Sequence, residues 1–345
     1  QPISSPFPLK LTPPAATPEA TPLPLPPTVV AVQPERGEEQ ALDAPVRVVF
    51  DQAMDPDTTK AAFQIEPEVA GSADVTGNTL VWKPGKPLAR ATRYDITLTG
   101  AKSSAGLSMN EPLQFRFVTV GYLEVTSTNP ANGAQDIVTD SGITLVFNRP
   151  VVPLTSIDQQ KDLPQPLTFK PAVEGSGRWI NTSVYSFKPN LPLLAATTYT
   201  VSVTSTLTDT TGGVLAEPFA WSFTTTNPIV QGVTPEPNVS VILPSQTYSV
   251  TFSQPMDRPS TEAAFSLVGA TGAATGTFTW TQDSRELNFK PDAPLTFGAV
   301  YTLTVTTDAR AFGGVGALRE TQVRNYKVVA LPSVLKTDPP NGATN

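Results

Sequence analysis

The chain has 345 residues and a formal net charge of −7, and it contains no cysteine and no histidine. Without cysteine it has no disulfide or thiolate site, and without histidine it lacks the commonest general base and transition-metal ligand. The acidic balance argues against nucleic acid, which needs clustered lysine and arginine, and against anionic membrane surfaces. Since the sequence has no run of 18 apolar residues, we expect no membrane insertion.

The first 27 residues form a segment of their own. Ten of them are proline, mixed with threonine, alanine and serine. Such a stretch lacks backbone donors and cannot bury a core, so residues 1–27 are predicted to be a disordered, polyproline-like stalk. The alternative is a docking peptide for a proline-reading groove, because Pro24, Pro26 and Pro27 surround Leu25.

From residue 28 onward the sequence repeats. Alternating segments that end in phenylalanine occur at residues 46–50, 143–147 and 248–252. An aromatic-Lys-Pro triplet begins at Trp82, Phe187 and Phe289, with spacings of 105 and 102 residues. A period of this length is typical of one sandwich domain, not of a solenoid unit. We therefore place three domains at residues 28–121, 122–227 and 228–331.

A tyrosine follows a leucine by six residues in each repeat, at Tyr94, Tyr199 and Tyr301. This pattern resembles the tyrosine corner of Ig-like sandwiches, where the phenol ties a strand to the preceding crossover. The last strand of repeats 1 and 2 carries Phe115 and Trp221 facing the core. Arg324 stands there in repeat 3, so we expect a bulge or a register change.

Helical signals are short. Residues 57–63, opened by Asp57, and residues 260–265, opened by Ser260, each predict about one helical turn before a strand. The joints between repeats are short and poor in glycine, which predicts a semi-rigid, elongated array. Residues 334–343 echo residues 125–134, so we expect a fourth repeat to begin within 332–345 and the natural chain to continue.

The residues after the phenylalanine strand carry a family resemblance. Repeat 3 has Gln254-Pro255-Met256-Asp257 and repeat 1 has Gln52-Ala53-Met54-Asp55, whereas repeat 2 departs with Asn148-Arg149-Pro150-Val151. Together with the tyrosine pattern, this resembles the bacterial Ig-like domain of S-layer and related surface proteins. The resemblance implies an all-β fold of three tandem Ig-like or fibronectin-like antiparallel β-sandwich domains. It also implies a role as spacer and display module.

Candidate binding residues are few. Asp51, Asp55 and Asp57 could offer oxygen ligands to Ca²⁺, but their spacing does not match an EF-hand loop, so a solvated loop that caps a short helix is favoured. Trp179 follows a glycine-rich stretch that looks like an insertion peculiar to repeat 2, which makes it the candidate exposed contact. Gly212-Gly213 and Gly313-Gly314 are interpreted as turn glycines, since no phosphate-loop lysine follows them.

These observations favour a non-enzymatic spacer and interaction array in a longer exported protein, extracellular or anchored to the cell envelope. No cofactor is expected. The expected partners are other domains of the same chain, with a protein or a glycan at the cell surface as further candidates. One alternative is the N-terminal arm of a bacterial alpha-2-macroglobulin-like protease trap, whose tandem domains behind a proline-rich stalk look similar. The other is a carbohydrate-binding module.

Overall fold

The computed structural model describes residues 25–35, 37, 39–153, 160, 162–236, 241–338 and 340–342. Most of the predicted stalk therefore lies outside the described residues, although residues 25–27 are included. The chain divides into two compact units, one of residues 1–121 and one of residues 122–345. The first unit holds repeat 1 and the second holds repeats 2 and 3.

Repeat 1 is a sandwich of two four-stranded sheets. One sheet has the order β1-β3-β6-β5 and the other has the order β2-β8-β7-β4. Its strands are β1 (Val29–Gln33), β2 (Glu39–Gln40), β3 (Val46–Phe50), β4 (Phe63–Glu66), β5 (Gly71–Thr76), β6 (Thr79–Pro84), β7 (Arg93–Leu98) and β8 (Leu113–Thr119). The helix α1 (Pro56–Ala62) lies between β3 and β4 and so connects the two sheets.

Repeat 2 has the same two sheets and no helix among its described residues. The sheet orders are β13-β14-β11-β9 and β10-β16-β15-β12. The strands are β9 (Val125–Asn129), β10 (Ala134–Ile137), β11 (Ile143–Phe147), β12 (Leu167–Lys170), β13 (Gly175–Trp179), β14 (Val184–Pro189), β15 (Thr198–Val203) and β16 (Ala220–Thr225).

Repeat 3 contains a helix at the same place as repeat 1. Its sheets have the orders β17-β18-β22-β21 and β20-β19-β23-β24. The elements are β17 (Val230–Thr234), β18 (Tyr248–Phe252), α2 (Arg258–Ala264), β19 (Phe265–Gly269), β20 (Gly272–Ala273), β21 (Gly276–Trp280), β22 (Glu286–Pro291), β23 (Val300–Val305), a 3₁₀ turn (Phe312–Gly314) and β24 (Gln322–Lys327). Gly313 and Gly314 have positive φ, as does Gly212 in repeat 2, which is the turn conformation expected of them.

Each repeat has its own apolar core. Alternation along the strands buries every second side chain between the two sheets, as Val46, Val48 and Phe50 do in β3. The cores of the three repeats form three separate clusters of buried residues. The expectation of three tandem β-sandwich domains is therefore confirmed.

The two helices begin earlier than the sequence indicated. Asp55 and Asp257 are the N-caps, and their carboxylates accept from the backbone N–H of Thr58 and Ser260. The predicted caps, Asp57 and Ser260, lie inside the first turn instead. The reason is that a proline occupies the first turn of each helix, where its missing N–H costs nothing, so the cap is the aspartate before it.

The bulge expected at Arg324 is absent. β24 pairs with β23 in an unbroken antiparallel register, with Leu303 opposite Arg324 and Tyr301 opposite Tyr326. The Arg324 side chain is only partly buried, and Nη1 donates to the carbonyl of Val323 at 2.9 Å. A long arginine can lie along apolar surface and extend its charged end, so the register need not change to remove it from the core.

Past repeat 3 the described residues have no regular strand. Val334 and Leu335 are almost fully exposed, although their sequence echoes the opening of repeat 2. In each repeat the first strand pairs with the phenylalanine strand that follows it, and the described chain offers residues 334–338 no such partner.

Elsewhere in the described chain, both helices are seven residues long and neither could cross a membrane.

Candidate functional site

The tyrosines predicted to mark a corner occupy the same position in all three repeats. Tyr94, Tyr199 and Tyr301 are buried, and each hydroxyl accepts a hydrogen bond from a backbone N–H five residues upstream. The donor–acceptor distances are 3.1 Å from Ala89, 2.9 Å from Leu194 and 3.3 Å from Thr296. The phenol thus ties strands β7, β15 and β23 to the crossover that precedes them.

A threonine adds to this tie in repeats 1 and 2. Thr119 Oγ1 donates to the carbonyl of Ala89 and Thr225 Oγ1 donates to the carbonyl of Leu194, each at 2.6 Å. Both threonines end the last strand of their repeat and are buried. The last strand and the crossover are therefore fastened to each other where the chain leaves the sandwich.

A second contact, which sequence analysis missed, holds the chain where it enters each repeat. Asp51, Asn148 and Ser253 each follow the phenylalanine strand, and we call these residues the linker clamp. The side-chain oxygen of each accepts from the backbone N–H just before the first strand, at 3.0 Å from Thr28, 2.9 Å from Glu124 and 3.1 Å from Ile229. A polar residue directly after the strand-ending phenylalanine occurs in all three repeats, and this pattern could have predicted the contact.

An amide side chain makes a further bond to the same incoming segment. Gln52 Nε2 donates to the carbonyl of Leu25 at 2.9 Å, Asn148 Nδ2 to that of Tyr122 at 3.2 Å, and Gln254 Nε2 to that of Thr226 at 3.4 Å. The glutamine of the Gln-x-Met-Asp segment thus has a structural role. It fixes the direction in which the chain reaches the first strand.

The calcium candidates do not converge on a site. Asp51 is engaged by the N–H and the hydroxyl of Thr28, and these bonds lower the pKa of its carboxyl. Asp55 caps α1, and the hydroxyl and N–H of Thr58 likewise lower its pKa, while Asp57 lies in the first turn of that helix. Within the described residues, no group of three acidic side chains could hold a metal ion.

The expectation that Trp179 is an exposed contact is wrong. The side chain is 3% exposed, stacks on Phe147 at 5.9 Å between ring centroids, and donates from Nε1 to the carbonyl of Pro164 at 3.0 Å. Residues 175–179 are no insertion peculiar to repeat 2, because they form β13, which pairs with β14 as β5 pairs with β6. Strand alternation then directs Trp179 into the core.

A largely buried ion pair lies in repeat 2, where the sequence departs from the Gln-x-Met-Asp segment. The carboxylate of Asp209 contacts Arg149 and accepts from the Gly213 N–H and the Thr211 hydroxyl, the last two at 2.7 and 2.8 Å. Burial raises the pKa of Asp209, but the bonds from Gly213, Arg149 and Thr211 outweigh it, so the pKa lies below its usual value. The pair joins the loop after β11 to the loop after β15.

In repeats 1 and 2, the second strand and the last strand lie side by side and run in parallel. β2 pairs with β8, and β10 pairs with β16. In repeat 3 a parallel bridge joins Ile242 to Val328 in the same place. In each repeat, the segment that follows the first strand is therefore bonded to the segment through which the chain leaves the sandwich.

A family model described as a bacterial Ig-like domain matches the chain three times, at residues 24–119, 121–225 and 224–320. The chain belongs to the bacterial Ig-like domain family. The three matches cover most of the sequence and include the corner tyrosines and the linker clamps of every repeat. The resemblance of the sequence to bacterial Ig-like domains is therefore confirmed.

Several solved structures are similar to this bacterial Ig-like chain. A three-domain fragment of titin, I67–I69, is 10% identical with a TM-score of 0.33 and covers 89% of this chain and 99% of that one. Domains 1–6 of the surface layer protein SbsC are 12% identical, with a TM-score of 0.23 and coverages of 90% and 55%.

An L,D-transpeptidase from Mycobacterium smegmatis is 14% identical to this chain, with a TM-score of 0.24 and coverages of 44% and 59%. The alignment thus spans about three fifths of the transpeptidase's length. No curated protein matches the chain.

Proposed function

We propose that the chain is a non-enzymatic spacer, in which three sandwich domains in series separate other parts of an extracellular or envelope-anchored bacterial protein. The observation that carries this proposal is the parallel pairing, in each repeat, of the segment that follows the first strand with the end of the repeat. A pull through the two ends of a repeat reaches these paired segments through the first strand at one end and directly at the other, and it acts along both of them. It therefore loads their hydrogen bonds together, and several bonds must break at once.

The contacts at the ends of each repeat support the same role. The linker clamps hold the chain where it enters, and the corner tyrosines with Thr119 and Thr225 hold it where it leaves. A spacer needs strong attachment at these points, because tension reaches each core through them. A binding or catalytic module has no such requirement.

Two ionisable groups whose pKa values are displaced serve structural contacts, which supports a non-enzymatic role. Burial raises the pKa of Tyr185 to about 12, and this phenol hydrogen-bonds to Gln165. Asp209 is held in its ion pair with Arg149. An active site would bring such groups together in one cleft, whereas these two have different structural partners.

Location at the cell surface is tested by protease shaving of intact cells of the source bacterium. Antibodies against this chain should label unpermeabilised cells, and external protease should remove the label. A control antibody against a cytoplasmic protein should give no signal. Labelling that requires permeabilisation would refute the surface assignment.

The two narrower versions of the spacer differ in what the rest of the protein contains. Peptide mass spectrometry of the native protein should detect a Cys-x-x-Gln peptide with methylamine-sensitive mass if these repeats are the arm of a protease trap. Further Ig-like repeats or a wall-anchoring segment would favour an S-layer-type surface protein. The glycan-binding alternative has lost the exposed Trp179 on which it depended.

A further inference from the structure

Two arginines of repeat 3 contact two aspartates of repeat 2. Arg319 Nη2 lies 2.8 Å from Asp136 Oδ1, and Arg285 Nη2 lies 3.3 Å from Asp140 Oδ2. The aspartates belong to β10 and the turn after it, whereas the arginines lie just before β24 and β22. The linker between these repeats, residues 224–228, contains no acidic residue, and both aspartates lie about 90 residues before it.

Each arginine is also fixed on a second side. Arg319 Nη2 donates to Thr226 Oγ1 at 3.1 Å in the linker, and the Arg319 backbone N–H donates to the carbonyl of Pro228 at 2.9 Å. Arg285 Nη1 donates to the carbonyl of Ser253 at 2.6 Å. The guanidinium groups are thus held in place for the aspartates, which reduces the entropy lost when the pairs form.

Close packing accompanies the charges. A Cβ on Gly316 would lie 2.5 Å from Ala195 Cβ, and a Cβ on Gly313 would lie 2.7 Å from Leu194 Cδ2. The loop of repeat 3 therefore approaches the crossover of repeat 2 at a distance that only glycine permits. Both glycines also have positive φ, so their conformation disfavours any other residue.

The equivalent crossover of repeat 3 is an internal comparison. Ala195 lies two residues after Leu193 and is 1% exposed, whereas its counterpart Phe297, two residues after Leu295, is 48% exposed. No described residue covers the crossover of repeat 3 in the way that the Gly313–Gly316 loop covers that of repeat 2. The burial of Ala195 is therefore a property of the joint and not of the crossover itself.

Asp136 has an unusual conformation at this joint. Its φ is 54°, in the left-handed region that non-glycine residues seldom adopt, and it lies where the register of β10 shifts against β16. The Thr226 hydroxyl lies 3.4 Å from the same Asp136 Oδ1 that Arg319 contacts. A conformation that costs energy persists when surrounding contacts favour it, and here those contacts come from the linker and from repeat 3.

We propose that the acidic edge of repeat 2, formed by Asp136 and Asp140, is an interaction surface for the arginine pair of repeat 3, and that this contact locks the two repeats in one preset arrangement. The arginines supply the positive charge that a bound cation would supply in a metal-stiffened joint, so the lock needs no metal. This inference concerns the joint itself and stands whether or not the chain is a spacer.

Salt dependence follows from the exposure of the pairs. Because both aspartates are largely exposed, each pair contributes modestly, and together the two favour the locked joint by on the order of tenfold. The Debye length falls from about 10 Å at about 0.1 M salt to about 3 Å at about 1 M. The lock should therefore loosen in high salt and be unaffected by a chelator.

The test is a distance measurement by pulsed electron resonance between spin labels on the two repeats. Since the chain contains no cysteine, Thr168→Cys in β12 and Thr279→Cys in β21 give two unique labels at exposed positions. We expect a narrow distance distribution at low salt that is unchanged by EDTA. It should broaden in about 1 M salt and in the Asp136→Arg and Arg319→Asp variants.

The double variant D136R/R319D restores the opposite charges in reversed order and should return a narrow distribution. The matched control is Arg93→Ala, which removes a similarly exposed ion pair with Asp95 inside strand β7 of repeat 1. This variant should leave the distance distribution unchanged. Ala195→Phe, which places the repeat 3 residue at the joint, should broaden the distribution at every salt concentration because it displaces Gly316.

Two outcomes would overturn the proposal. One is a broad distribution in the unaltered chain at low salt, and the other is a narrow distribution that survives salt, both single charge variants and Ala195→Phe. Thermal unfolding of every variant identifies any that fails to fold. For such a variant, the salt series of the unaltered chain decides the question alone.

Discussion

At the scale of single residues, the corner tyrosines combine a buried ring with one polar bond. Tyr199→Phe keeps the ring and removes the oxygen that accepts from the Leu194 N–H at 2.9 Å. Because that N–H then loses its partner beside the core, we expect unfolding to become easier by about 1–2 kcal/mol. Tyr301→Phe should cost less, since its bond from Thr296 is longer at 3.3 Å. Urea unfolding measures the free energy of unfolding of each variant. An equal loss of stability in Tyr199→Phe and Tyr301→Phe would contradict the argument.

The buried carboxylate of Asp209 makes the stability of repeat 2 dependent on pH. Its folded-state pKa lies below the unfolded value of about 3.9. The contribution to stability is therefore complete above that value and is lost as the pH falls through the folded pKa. Asp209→Asn should lower stability at neutral pH by about 3 kcal/mol, because it leaves Arg149 without its partner.

Asp209→Asn should also flatten the acid dependence below about pH 4. Asp95→Asn, in an exposed pair with Arg93, is the control and should cost less than about 1 kcal/mol. Urea midpoints measured across the pH range give both comparisons. An acid dependence as steep in Asp209→Asn as in the unaltered chain would show that other carboxylates cause it.

Sequence reasoning at the residue scale located the repeated tyrosines, because a leucine-to-tyrosine spacing present three times is visible without a structure. It misjudged Trp179, since the glycines before it suggested a loop and only the strand pairing of β13 shows which way the ring points. It named Asp51 as a weak calcium candidate, favoured a solvated loop there, and did not predict its role at the first strand. Its partner Thr28 is 23 residues away, and single-sequence patterns do not reveal such contacts.

At the scale of elements, a glycine faces the aromatic residue of each aromatic-Lys-Pro triplet. Cβ atoms on Gly71, Gly175 and Gly276 would lie about 2.5 Å from the ring carbons of Trp82, Phe187 and Phe289 respectively. The same Cβ atoms would also meet the carbonyl oxygen of the following lysine, at 2.4–2.5 Å. The three repeats therefore share a contact in which the aromatic ring covers a glycine on the neighbouring strand.

We predict that Gly276→Ala destabilises repeat 3 by about 1–3 kcal/mol, because the new methyl group overlaps Phe289 and backbone that cannot move aside. Gly232→Ala is the matched control, because Gly232 also lies in a strand of repeat 3 but has no atom within 4 Å of its Cβ position. Gly232→Ala should be neutral or slightly stabilising. Thermal unfolding compares the two, and a similar loss in both would contradict the steric explanation.

The strands with a clear two-residue alternation were predicted correctly. The predictions that depended on a single residue, a helix start or a bulge, were wrong. The alternating strands that end at Phe50, Phe147 and Phe252 were identified from apolar residues at every second position. The helix starts were placed too late, because the prolines at the first turn were not used as signals. The arginine in β24 was expected to force a bulge, but the ladder stays regular while the arginine side chain stays partly buried.

At the scale of the whole molecule, the repeat period indicated three sandwich domains, and the structure has three cores. The period could not show that repeats 2 and 3 share one compact unit of residues 122–345, because the joint depends on Asp136 and Asp140. These aspartates contact arginines that lie 183 and 145 residues further along the chain. Contacts of this kind are set by tertiary structure and leave no local pattern.

The central claim is that three separately cored domains resist tension in series, and stretching single molecules from both ends tests it most directly. Each repeat holds about 100 residues at about 3.5 Å of extended chain per residue, so each unfolding event should release about 30 nm of contour length. We predict three such events in every complete trace. Fewer than three events, or extension without resistance, would contradict the account.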